Sequence, residues 1–125
     1  MSVQNPWAAH YQGVWTERGK DPALPSWLRV AALAFGRHKK NGHAQFAEGE
    51  LAKLLAAPDR DGVVKIPSAQ SVCNHVAKAK MLGFIAEGSN VRCLVVPPHA
   101  VIGGMGGSEW TACVIHAKGK MRTAV

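Results

Sequence analysis

Apolar and polar positions alternate with a helical period most clearly between Ser68 and Gly83. Ala69, Val72, Val76, Ala79 and Gly83 recur at the three-and-four spacing of one helix face, which predicts a buried stripe. Gln70, Ser71, Asn74, Lys78 and Met81 fall on the opposite side, a face of mostly small polar and basic groups. Ser68 is a natural N-cap and Gly83 a natural terminator. Beyond it, Phe84–Ala86 and Val91–Val96 flank the turn-forming Glu87-Gly88-Ser89-Asn90, and this pattern predicts a β-hairpin.

The same pattern defines two earlier helices. Ser26 caps a run to Phe35 whose buried stripe is Leu28, Ala31, Ala32 and Phe35, followed by the cations Arg37 to Lys40 that suit a helix C-terminus. A short strand fits Gly42 to Gln45. A second helix spans about Phe46 to Ala57 on Leu51, Leu54 and Leu55, with Glu48 and Glu50 in its first turn where they favour the helix dipole. Pro58 ends it, and Asp61-Gly62 turns the chain into the β-rich Val63–Ile66. Residues 1–25 have no sustained period and read as an arm in which Tyr11–Trp15 could form a strand. Trp7 and Trp15 there are expected to pack against the core.

With 125 residues and 47% hydrophobic composition, the chain suffices for one domain with a modest core. The expected division is an arm at 1–25, a domain at 26–98 and a C-terminal segment at 99–125, attached through the glycine run 103–107 read as a flexible linker. No apolar run is long enough for a membrane span, and no signal-peptide pattern opens the chain. The three cysteines are odd in number and widely spaced, which favours a reducing, cytoplasmic setting.

Charge sharpens this picture. The net charge is +7, and residues 63–125 hold seven Lys/Arg against two Asp/Glu, whereas residues 1–62 hold eight against six. The excess lies with the third helix, the hairpin and the tail, so a polyanionic partner is expected.

The order helix, short strand, helix, helix, hairpin is that of a winged helix-turn-helix domain, an α+β fold. Gly49-Glu50-Leu51-Ala52-Lys53-Leu54-Leu55 resembles the second helix of that superfamily, and Ser71 to Ile85 resembles its recognition helix running into the wing through Leu82-Gly83-Phe84-Ile85. Gly13-Val14-Trp15-Thr16, Leu24 to Ala34 and Arg92-Cys93-Leu94-Val95-Val96-Pro97 are similar to small helix-turn-helix proteins of actinobacteriophages. The similarity runs over roughly residues 13 to 99. It departs in the connection between the second and third helices, about ten residues where a compact helix-turn-helix uses three or four. The resemblance implies a DNA-binding fold, and the expected function is non-catalytic, sequence-selective binding of double-stranded DNA, serving transcription, replication or excision in the host cytoplasm. Ser68, Gln70, Ser71, Asn74, His75 and Lys78 would address bases and phosphates, and Ser89, Asn90 and Arg92 the backbone or minor groove. Homodimerisation is left open. The competing expectation is an adaptor that uses the same fold to bind a protein.

Enzyme chemistry finds little support. There is no phosphate-binding glycine loop, Gly-x-Ser-x-Gly elbow or His-Glu-x-x-His, and the six histidines are scattered. Cys93, His99, Cys113 and His116 would make a two-Cys, two-His zinc set, but their spacing is loose. Buried cysteines and surface histidines are the simpler expectation, with no metal or cofactor.

Overall fold

A computed structural model describes residue 6, residues 8–98, 100–101, 103–104, 106 and 112–116. These form a small α+β structure with two antiparallel two-stranded sheets. In chain order the elements are α1 (Gln12–Lys20), α2 (Ser26–Arg37), β1 (His43–Gln45), α3 (Glu50–Leu54), β2 (Ala57–Pro58), β3 (Val64–Lys65), α4 (Ala69–Met81) and β4 (Cys93–Val95). Residues 114–116 form a further helical turn. No described helix is long and apolar enough to cross a membrane.

Helix α2 is central. Arg29 to Ala34 and Gly36 are all buried, so the expected stripe of Leu28, Ala31, Ala32 and Phe35 understates its burial. Val30, Leu33 and Ala34 pack with Ala44 and Phe46, with Leu51 and Leu55 around α3, with Val72, Val76 and Ala79 of α4, and with Leu94 and Val96. Ser26 is the first helical residue, with Pro25 at the cap position and no side-chain cap bond.

The arm is not the irregular segment or strand that its sequence pattern suggested, because α1 is a helix docked on α2. Its approach depends on missing side chains. A Cβ at Gly36 would lie 2.6 Å from the Thr16 backbone nitrogen, and one at Gly19 would lie 2.6 Å from Leu33 Cδ2. Trp15 packs edge-on to Phe35, the packing role expected of it, whereas Trp7 lies outside the described residues. At the end of α1, the buried Arg29 donates from Nε to Gly19 O and from Nη2 to Lys20 O. It also donates to the carbonyls of Leu54, Leu55 and Ala56 at the end of α3. One guanidinium therefore satisfies carbonyls that two helix termini would otherwise leave without partners.

Helix α3 is shorter than its apolar pattern, since residues 47–49 form a turn ahead of it. Glu50 in its first turn accepts from Ala47 N at 2.9 Å and pairs with Arg37 Nη1 at 2.8 Å. These contacts hold its carboxyl below the ordinary range: the Ala47 backbone bond is the largest cause, burial opposes it, and Arg37 adds to the lowering. The connection to α4 is not a loose insert but a small hairpin in which Ala57 pairs with Lys65 and Pro58 with Val64. Asp59 Oδ1 accepts from the backbone of Asp61 and Val63 to close its turn.

Helix α4 has the expected limits. Ser68 accepts from Ser71 N, and Gly83 adopts φ +81° just beyond the end, where Phe84 N bonds Ala79 O. The chain after it differs from the expected hairpin. β4 pairs with β1, in the register His43 to Val95, Ala44 to Leu94 and Gln45 to Cys93. Residues 84–86 form no strand. Their bond to β4 is Ala86 N to Val95 O, and the turn is closed between Asn90 and Cys93. A burial contest explains this outcome. Strand β1 lies beside the core and offers Ala44 opposite Leu94, both fully buried, whereas Phe84 is exposed and packs on Trp27. The described glycines of the run 103–107 do not behave as a free linker: Gly106 O accepts from Lys40 N, and Gly104 lies against His38.

Candidate nucleic-acid interface

The two faces of α4 divide by chemistry, although Ala69 and Gly83, expected in the buried stripe, are exposed at its two ends. Val72, Val76 and Ala79 are buried in the core, while Gln70, Cys73, Asn74, Ala77, Lys78 and Met81 are exposed. Gln70, Asn74 and Lys78 are four residues apart and therefore form a row along the helix. Gln70 Nε2 donates to Asn74 Oδ1 at 2.9 Å, which leaves both side chains outside the core and pre-aligned. Ser68 and Ser71 are joined at the N-terminal end, with Oγ donating to Oγ at 3.2 Å. His75 is half-buried at the edge of the face. Burial lowers its pKa first, and the charges of Arg29 and Lys78 lower it further, so near neutral pH it is an uncharged hydrogen-bonding group.

The residues expected beyond the helix separate. Ser89 is not available to a ligand: it is buried, its Oγ accepts from Val95 N at 2.8 Å, and its carbonyl accepts from Lys80 Nζ. It faces inward because the missing hairpin leaves Val95 N to be satisfied by a side chain. Asn90 is exposed, yet its Oδ1 accepts from the backbone nitrogens of Arg92 and Cys93 and so shapes the turn. Arg92 is exposed and anchored by Nε donating to Phe46 O at 2.8 Å, which fixes the guanidinium at the surface. Lys65, on the β2–β3 hairpin, is held by Asp59 at 3.2 Å.

No family model, curated protein or solved structure gave a significant match. The reading of this surface therefore rests on its chemistry alone.

A second grouping was only partly visible in the sequence. Cys93, Cys113 and His116 come together, but the fourth member is His43 from β1, while His99 lies outside the described residues. Both cysteines are buried free thiols, whereas Cys73 is exposed. Burial pushes the Cys93 thiol up. At Cys113 burial acts in the same direction but is outweighed by hydrogen bonds from the backbone and ring of His116 and from Gln45, which bring it down to about 6.

Proposed function

We propose that this protein is a non-catalytic binder of double-stranded DNA, built as a winged-helix variant with a shortened wing, and that α4 is its reading helix. The observation that carries this reading is the exposed row Gln70, Asn74 and Lys78, standing opposite the buried Val72, Val76 and Ala79. Amide side chains match the N6/N7 edge of adenine in the major groove, and a lysine contributes to guanine or phosphate. Ser68 and Ser71 at the helix N-terminus suit a phosphate, and Arg92 suits the backbone on the wing side. The net charge of +7 supports the same partner. Sequence selectivity follows from the amides and suits a role in transcription, replication or excision.

A specific feature favours a second reading, that of a protein-binding adaptor. Val63, Val64 and Ile66 on and beside the β2–β3 hairpin, with Met81 and Leu82 at the end of α4, are exposed apolar side chains. Titration of a labelled duplex across salt concentrations separates the two. DNA binding should weaken linearly in log salt as counterions are released. Absence of binding at low ionic strength would remove the DNA reading and leave the adaptor.

A further inference from the structure

Strand β1 and strand β4 have two faces, and each is used differently. Ala44 and Leu94 point into the core, so alternation sends His43, Gln45 and Cys93 to the other side. The segment carrying Cys113 and His116 returns to cover that side, with Cys113 just ahead of the helical turn 114–116 and His116 at its end. The result is a group of four side chains from three separate stretches of chain. One donor atom from each of His43, Cys93, Cys113 and His116 lies within 4.8 Å of all the others. His43 Nδ1 is 3.3 Å from Cys93 Sγ, Cys93 Sγ is 3.5 Å from Cys113 Sγ, and His116 Nδ1 is 3.3 Å from Cys113 Sγ.

We propose that His43, Cys93, Cys113 and His116 form a tetrahedral zinc site that fastens the C-terminal segment to the β1–β4 sheet. Zinc bonds of about 2.3 Å to sulfur and about 2.0 Å to nitrogen require tetrahedral edges of about 3.8 Å between sulfurs and about 3.5 Å between sulfur and nitrogen. The three short separations meet those edges to within about 0.3 Å, and side-chain rotation closes the longer ones. Two thiolates and two imidazoles balance the charge of a divalent ion, and this donor set selects zinc over hard cations such as magnesium or calcium.

The surroundings are also those of a ligand set. His116 Nε2 lies 2.8 Å from Gly88 O, where only a protonated ring nitrogen is favourable, which leaves Nδ1 as the ligand atom once it gives up to the metal the proton it shares with Cys113. Gln45 Nε2 donates to Cys113 Sγ at 3.3 Å, as an outer group that stabilises a coordinating thiolate. Four protein donors leave no position for substrate or water, so the site is structural. Metal binding releases the remaining protons of the ligand set to solvent and joins segments far apart in sequence. Through Gly88 it also steadies the turn that follows α4.

Metal content of the full chain, purified under reducing conditions without an affinity tag, tests this. About one equivalent of zinc is expected by mass spectrometry, together with the visible absorption of tetrahedral thiolate-bound cobalt after exchange. A thiol reagent should then modify Cys73 rapidly and Cys93 and Cys113 only after chelation. Cys113→Ser and His43→Ala should lose the metal, whereas His99→Ala and Cys73→Ser should retain it. Should the ligand variants fail to fold, cobalt titration and thiol protection in the unmodified protein decide the matter. Equal reactivity of all three thiols with zinc present and no tetrahedral cobalt spectrum would overturn the proposal. Loss of metal in His99→Ala with retention in His43→Ala would overturn the assignment of His43.

Discussion

Helices α2 and α4 are nearly the same length and are used in opposite ways. Seven of the twelve residues of α2 are buried, including the charged Arg29, and its contacts are with the protein itself. Only Val72, Val76 and Ala79 of α4 are buried, and the row Gln70, Asn74 and Lys78 adds nothing to the core. A helix that commits one stripe to the interior and leaves a contiguous amide-and-lysine face outside has side chains to spare for recognition. Changes in α2 should therefore cost stability, and changes on the outer face of α4 should cost selectivity.

The largest effect is expected at Arg29. Replacing it with Ala leaves the carbonyls of Gly19, Lys20, Leu54, Leu55 and Ala56 without their common donor. A loss of at least about 3 kcal/mol is expected by chemical denaturation. Stability unchanged within about 0.5 kcal/mol would mean that solvent reaches those carbonyls and that α2 is less central than described. Gly36→Ala comes next, at about 1 to 3 kcal/mol, because the added methyl meets the Thr16 backbone. Its signature is separation of α1 from α2, visible as a change in Trp15 fluorescence.

Glu50→Gln is smaller and depends on pH. The folded pKa of Glu50 is depressed below its ordinary 4.5, so its contribution is present above the unfolded pKa and lost as pH falls through the folded value. Because the carboxylate is about one-third exposed, the loss at neutral pH is held to roughly 1 kcal/mol. Below the folded pKa the variant and the parent should converge. A gap that persists in acid would locate the effect in packing and not in charge. Smallest for stability are Gln70→Ala and Asn74→Ala, expected within about 0.5 kcal/mol of the parent by thermal unfolding.

Legibility in the sequence follows the same contrast. The limits of α4 were readable because Ser68, the apolar stripe and Gly83 are local signals that agree. Arg29 was not, since an arginine amid alanines reads as solvent-facing until two helix ends are brought to it. Helix α1 was hidden by Gly13 and Gly19 and by weak periodicity. It is helical because α2 supplies a surface at Gly36 on which it can lie. The wing was overread, because Phe84–Ala86 and Val91–Val96 look like partners until β1 competes for β4. Of the cysteine–histidine group, Cys93, Cys113 and His116 could be proposed from spacing. His43, fifty residues before Cys93, could not, because only strand pairing sets it there.

In the proposed mode of binding, α4 reads DNA through Gln70 and Asn74. Selection of bound sequences from a random duplex pool, run in parallel on the unmodified protein and on Gln70→Ala and Asn74→Ala, tests it most directly. An enriched motif is expected for the unmodified protein. At the positions that each amide faces, the variant's motif should lose information, while non-specific affinity stays nearly constant because neither side chain is charged. An identical motif from folded Gln70→Ala and Asn74→Ala proteins, or no motif from the unmodified protein, would contradict the assignment of this face to the major groove.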